Sequence, residues 1–295
     1  MLHRSRLTEL RGKELVHVNR IAATLLAGVM FAATAPALAQ DAPPPDDRNT
    51  LTIGAGVGYV PSYEGSDDYR LIPAGIVRGK VGGHSFYTRG LQLYLDAIPE
   101  PPGPGLDLAI GPVVGVRLNR TSGIKDARVK ALGKLDTAVE VGGFVGIGQT
   151  GVITSDYDNL SFRISYVKDI GGAHKSHVIT PAIEYGTPLS RTAYVGIGLS
   201  ADIVGDGYAD YYYDVTQAGS LASGLARYDA DGGFKSWTLS LGGAHSLTGD
   251  LLSGLGLFAV GAYTRLRGDF AESPIVSTAG SRNQWFGALG LSYTF

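Results

Sequence analysis

Apolar and small or polar residues alternate one for one along most of this chain. In Leu51–Tyr59 the odd positions are Leu51, Ile53, Ala55, Val57 and Tyr59, separated by Thr52, Gly54, Gly56 and Gly58. In Leu106–Leu118 the apolar set is Leu106, Leu108, Ile110, Pro112, Val114, Val116 and Leu118, set against neighbours that include Asp107, Gly111, Gly115 and Arg117. The same rhythm runs through Leu160–Tyr166 and Ala193–Ile203. A period of two means strands with one apolar face and one small or polar face. Eleven such segments can be drawn: 51–60, 69–79, 84–95, 106–118, 135–148, 158–169, 176–187, 192–204, 233–246, 250–266 and 282–295.

Two architectures carry this pattern. A soluble sandwich or barrel turns the apolar face inward, whereas a transmembrane barrel turns it toward lipid and keeps the polar face for the lumen. Length separates them. Soluble strands usually run five or six residues, while these run ten or more, near the 9–11 that cross a tilted bilayer. Glycine on the non-apolar face suits a narrow lumen, where a soluble exterior would carry Lys and Glu. The expected fold is an all-β, antiparallel up-and-down transmembrane barrel. Single-chain bacterial barrels have even strand numbers, so the count of eleven is off by at least one, and twelve are expected over ten. The missing strand is placed in 205–232, where Tyr211-Tyr212-Tyr213-Asp214-Val215 could open one between Gly- and Asp-rich turns.

The last segment, RNQWFGALGLSYTF, sharpens the reading. Trp285 and Tyr293 stand eight residues apart on one face, roughly 20 Å along the membrane normal at about 3.3 Å per residue and a tilt near 40°. That is the spacing of two aromatic girdles. Phe295 closes the chain with an aromatic, as in the sorting signal that the barrel assembly machinery of bacterial outer membranes reads.

The N-terminus has a different grammar. Arg4, Arg6, Arg11, Lys13 and Arg20 precede the uncharged run Ile21–Thr34, and Ala37-Leu38-Ala39 then offers a small-x-small site before Gln40. This order is that of a secretory signal peptide. Cleavage at 39 removes five basic and two acidic residues and takes the formal charge from −2 to −5. Residues 1–39 are therefore assigned as signal peptide, 40–49 as a Pro-rich tether, and 50–295 as one barrel domain in an outer membrane.

Composition narrows the function classes. Glycine supplies 43 of 295 residues, twice ordinary usage, without any Gly-x-y period. Cysteine is absent, which excludes disulfides, thiolate metal sites, cysteine catalysis and a lipidated N-terminal Cys. The slight negative charge gives no electrostatic case for nucleic acid. Outer-membrane lipid is the surrounding partner instead.

Candidate chemistry is sparse. His84, His174, His177 and His245 single out no nucleophile, so an outer-membrane lipid hydrolase is the least favoured alternative, and these side chains read as a solvated rim. His174 and His177 lack a third ligand, and Asp229-x-Asp231-Gly232 lacks the closing Glu of a calcium loop. Gly54-x-Gly56-x-Gly58 opens no βαβ unit. No cofactor or metal is expected. By alternation Gln92, Tyr94, Arg117, Glu140, Arg163, Glu184 and Asp202 face the lumen. Buried charge is costly unless paired or wet, so these residues either form a plugged ion-pair network, which the Glu/Arg mixture favours, or line a narrow pore. Tyr211, Tyr212 and Tyr213 form a candidate interaction segment, since tyrosine gives rigid contact area with a polar tip. A membrane-interface girdle is the equal alternative.

Three stretches carry a resemblance to a known family: GAGVGYVPSYEGSDDY at 54–69 followed by Arg70 and Pro73; YYYDVT at 211–216 followed by Gln217-Ala218 and Ser223-Gly224-Leu225; and LRGDFAESPIV at 266–276. In order and spacing they resemble the MipA/OmpV family of outer-membrane proteins, over nearly all of 50–295. Asp214 departs from the glycine that the family favours. The resemblance implies a scaffold of the cell envelope that links a murein transglycosylase to a murein synthase; other members are described as adhesins or surface antigens.

Overall fold

The computed structural model describes residues 49–101 and 103–295. The signal peptide and most of the tether assigned from the sequence lie outside these residues.

Twelve antiparallel strands close into a barrel in chain order: β1 (Thr50–Pro61), β2 (Tyr69–Val81), β3 (His84–Arg89), β4 (Gln92–Leu95), β5 (Leu106–Arg117), β6 (Ala138–Thr150), β7 (Asn159–Asp169), β8 (His177–Pro188), β9 (Ala193–Val204), β10 (Gly233–Ser246), β11 (Gly254–Leu266) and β12 (Asn283–Thr294). β1 and β12 complete the ring through eight residue pairs from Thr52–Thr294 to Tyr59–Gly287, and Phe295 N–H donates to the Leu51 carbonyl at 2.9 Å. Closure gives the spanning strands a neighbour on each side, as a bilayer demands, except along β2 above Arg78, where β3 stops short.

The apolar face is outside. Ile53, Val57, Leu108, Ile110, Ile197, Leu199, Leu289 and Leu291 are all exposed, while Thr52, Glu140, Arg163 and Ser165 on the opposite face are buried. Aromatic rings gather at both ends of this band. Trp237, Tyr263 and Trp285 form a chain with centroids 5.4 and 4.8 Å apart, Tyr59 stacks on Tyr69 at 4.8 Å, and Tyr293 meets Phe295 at 4.7 Å. Trp285, Tyr293 and Phe295 all point outward and are exposed. Leu289 lies midway between Trp285 and Tyr293, so Leu289→Arg should lower stability in bilayers by about 2–4 kcal/mol. Urea-dependent refolding into vesicles measures this, and a loss below about 1 kcal/mol would contradict a lipid-facing midplane position.

The count of twelve arises otherwise than expected. The missing strand is not in 205–232. The segment 84–95 is two strands, turned by Gly90-Leu91, where Gly90 has φ 56°. A two-residue loop with glycine first suits a hairpin of this kind. Residues 205–232 instead hold two helices, α2 (Asp206–Tyr213) and α3 (Gln217–Ser223), after a short α1 (Ala127–Ala131) in the β5–β6 loop. Two more, α4 (Gly268–Glu272) and α5 (Pro274–Ser277), lie between β11 and β12.

The chain enters β1 and leaves β12 at one rim, which also carries the connections 82–83, 151–158, 189–192 and 247–253. The long connections 118–137, 205–232 and 267–282 are at the other rim. Outer-membrane barrels keep short turns on the periplasmic side, so the helical rim is the outer one.

Candidate functional site: a plugged outer lumen above a periplasmic vestibule

α2 lies inside the barrel mouth. Its apolar face comes from spacing: Tyr208 and Tyr212 are four apart and share one side of a helix, with Ala209 and Tyr213 beside them. All four are buried. Tyr208 and Tyr212 rings lie 4.7 Å apart, and Tyr213 meets Phe270 of α4 edge-on at 5.1 Å. Ser273 Oγ, between α4 and α5, donates to the Tyr213 carbonyl at 2.6 Å, and Arg120 Nη1 donates to the Tyr212 carbonyl at 3.1 Å. Three outer loops are thus stitched into one plug. Tyr212 and Tyr213 are 1% and 0% exposed, so neither presents its ring to a partner, and neither lies on a lipid-facing strand. Tyr211 is half-buried; its hydroxyl accepts from the Asp136 amide at 2.8 Å. The tyrosines favoured strand by propensity. The helix prevails because its face has a lumen to fill.

The Tyr212 hydroxyl is buried with no hydrogen-bond partner among the described residues. An unmet buried hydroxyl costs about 1–3 kcal/mol. Tyr212→Phe should therefore leave stability unchanged or raise it by about 1 kcal/mol, read from the unfolding midpoint in detergent; a loss beyond about 1 kcal/mol would mean that the hydroxyl is bonded.

Beneath the plug lie two charge clusters. In the first, Glu140 of β6 is 1% exposed and accepts from Arg117 Nε at 2.8 Å, Arg117 Nη2 at 3.2 Å and Gln92 Nε2 at 3.1 Å. Tyr94 OH donates to Gln92 Oε1 at 3.1 Å. His174 Nε2 stands 3.3 Å from Glu140 Oε1, while its Nδ1 accepts from the Ser176 amide at 3.2 Å. That pair of contacts fixes Nε2 as the protonated nitrogen. His174 is 2% exposed; it belongs to this core and not to a solvated rim, which corrects the sequence expectation.

The second cluster centres on Lys235 of β10. A β-bulge between Phe234 and Ser236 turns Lys235 inward out of strict alternation. Its Nζ pairs with Glu64 from the β1–β2 loop and with Asp202 of β9, the latter at 3.1 Å. Tyr208 OH donates to the other Glu64 oxygen at 2.8 Å, and Thr180 Oγ1 donates to Asp202 at 2.8 Å. Burial alone would raise Glu64, yet Lys235 and Arg117 hold it below the usual carboxylate range. Burial drives the Tyr208 phenol upward. α2 is thereby bonded to the wall through Tyr208 and Glu64.

Arg163 and Glu184 sit lower and meet the first cluster through Tyr94, whose ring centroid lies 5.1 Å from Arg163 Cζ. Glu184 forms a close two-pronged pair with Arg89 and lies 3.7 Å from Arg163 Nη1. Below this level the lumen is open. Adjoining cavities of about 370 and 630 Å³ share Thr52, Arg78, Asn159, Ser161, Glu184 and Thr294 in their linings and reach the periplasmic turn residues Leu251 and Leu252. The residues that the alternation left out are Glu64, on a loop; Lys235, on a bulge; His174, on a turn; and Arg89, whose parity is shifted by the β3–β4 hairpin. On the outer surface the carboxylates of Asp210, Asp214 and Asp229 converge within 4.8 Å. Burial and neighbouring carboxylates push Asp210 and Asp214 above their usual range.

A family model described as MltA-interacting protein MipA matches residues 53–295. No curated protein matches the chain. Among solved structures, the chain is similar to the COG4313 outer membrane channel from Pseudomonas putida F1, at 12% identity and TM-score 0.43, with 89% of this chain and 100% of that chain covered. It is also similar to an anion-selective porin from Comamonas acidovorans, at 12% identity and TM-score 0.34, covering 84% and 99%. A FadL homologue from Pseudomonas aeruginosa aligns at 10% identity and TM-score 0.31, covering 84% and 90%.

Proposed function

Because this chain belongs to the MltA-interacting protein MipA family, we propose that it is a non-enzymatic scaffold of the outer membrane whose partners are murein-remodelling enzymes met on the periplasmic side. The observation that supports this reading is the asymmetry of the lumen. Its outer half is filled by α2, tyrosine rings and two bonded charge clusters, while its inner half is a vestibule facing the periplasm. A transport path needs continuity through the barrel; an anchor for periplasmic enzymes needs only a rigid inner rim. The murein transglycosylase and synthase implied by the family resemblance act in the compartment onto which that rim opens.

Site-specific photo-crosslinking in cells tests the proposal. A crosslinker at Leu251 or Leu252 on the inner rim should capture murein enzymes, whereas one at Leu221, which is 79% exposed on α3 at the outer rim, should not. Capture of external ligands from Leu221 with none from the inner rim would favour an adhesin and overturn the scaffold reading.

A further inference from the structure

The barrel wall is incomplete on one side. β3 and β4 have six and four residues, while their neighbours β2 and β5 have thirteen and twelve. β2 pairs with β3 only from Arg78 to Val81, although it pairs with β1 along its whole length. On the β5 side the hairpin reaches nearly to the strand end, where Val116 N–H donates to the Leu91 carbonyl at 3.2 Å, so the edge left without a strand beside it is that of β2 above Val77. The opening is about three strand spacings, roughly 14 Å, at its base. The loop after β5 bridges its top: Arg70 Nη1 donates to the Ser122 carbonyl at 3.1 Å, and Lys125 Nζ to the Tyr69 carbonyl.

This free edge is capped at both ends and interrupted by a proline, which discourages another strand from adding to it. At its lower end Thr88 Oγ1 accepts from the Val77 amide at 3.0 Å and donates back to the Val77 carbonyl at 3.2 Å. At its upper end Lys125 satisfies the Tyr69 carbonyl. Between them stands Pro73, which has no N–H to lose and blocks strand addition. The outward side chains are open: Leu71 is 70% exposed, and a Cβ on Gly75 would meet only the Gly54 carbonyl within 4 Å. The edge lies below Tyr69 of the outer girdle, at the depth of outer-leaflet acyl chains.

Behind the opening is a cavity of about 280 Å³ whose lining includes Arg70 on one side, Arg117 and Leu118 on the other, Phe286 of β12 two strands along the wall from β2, and Glu64, which is already paired with Lys235. Phe286 is a lumen-facing ring on β12, paired with Ala262, yet it is 38% exposed. Arg70 Nε is buried and has no partner among the described residues. The bridging loop 118–137 carries Arg120, Lys125, Arg128, Lys130 and Lys134 against two acidic residues, Asp126 and Asp136; the neighbouring loop 205–232 carries five acidic residues against one basic. Positive charge is thus concentrated over the opening. We propose that this lateral window admits an acyl chain of a net-anionic, phosphate-bearing outer-leaflet lipid, with Arg70 and Lys125 holding the phosphate at the upper rim. The inference is independent of what the periplasmic rim binds.

The chain has no cysteine, so single-cysteine labelling is clean. Bimane would be placed at Ile72→Cys, facing the lumen behind the window, and at Ser240→Cys, facing the lumen behind a fully paired wall. Each is reconstituted into vesicles of phosphatidylglycerol or phosphatidylcholine brominated on the acyl chains. Quenching at position 72 should exceed that at 240 at least three-fold in phosphatidylglycerol. It should fall toward the 240 level in phosphatidylcholine, and also in R70Q/K125Q, whose amides keep donors at the bridging contacts; heat-modifiable gel mobility verifies the fold. Equal quenching at the two positions would overturn the window. Strong quenching at 72 that ignores both the lipid charge and R70Q/K125Q would overturn the anionic ligand.

Discussion

Replacing Glu140 with alanine should cost about 3–5 kcal/mol of barrel stability, the range for breaking a buried ion pair by removing one partner. Glu140 is the acceptor on which Arg117, Gln92 and His174 converge. Without it, Arg117 retains a largely enclosed guanidinium that faces the Tyr208 ring, 5.2 Å from Cζ, with Glu64 already committed to Lys235. Burying a charge without its partner is the expensive outcome, more so than losing the pair entirely. Glu140→Ala combined with Arg117→Met should therefore recover at least half of the loss. Urea unfolding in detergent, followed by gel mobility, measures both. If Glu140→Ala alone costs less than about 1 kcal/mol, water must reach the cluster and the outer lumen is not sealed.

Lys235→Met is the second large effect, again about 3–5 kcal/mol. Methionine fills much of the lysine volume, so the loss isolates charge from packing. Lys235 is the cation shared by Glu64 and Asp202, and it carries the wall's contact with the β1–β2 loop and, through Glu64, with α2. Two carboxylates would be left facing one another without it. The change should loosen the plug before it unfolds the barrel: protease cleavage within 205–232 should rise, while the folded band persists on the gel. Adding Glu64→Gln and Asp202→Asn should restore protease resistance, because amides remove the uncompensated charge and keep most hydrogen-bonding capacity. Unchanged cleavage in Lys235→Met would show that the plug is held by packing alone.

These two clusters also show how far the sequence could be read. Strict alternation puts Gln92, Arg117 and Glu140 on one face because each sits in a regular strand, and register does the rest. Lys235 escapes the same logic because a bulge adds one residue and reverses its direction. Glu64 and His174 escape because turns have no period. The hairpin at Gly90-Leu91 was hidden within a segment long enough for one strand, although the outward positions change from even at Phe86 and Thr88 to odd at Leu93 and Leu95, a shift that needs a turn or a bulge and that Gly90 marks as a turn. Tyr211–Tyr213 misled for a physical reason: tyrosine favours strands in general, but Tyr208 and Tyr212 at helical spacing match a lumen that needs filling. The signal for the helix lies in the residue four positions earlier and not in the tyrosine run itself.

The barrel is plugged by its own outer loops. Single-channel recording in planar bilayers tests it most directly, comparing the intact protein with a variant in which residues 206–231 are replaced by a short Gly-Ser linker. The intact barrel should show no stable conductance and the loop-replaced one steady open-channel current, with both running as folded bands. Steady current of the same size from the intact protein would contradict it.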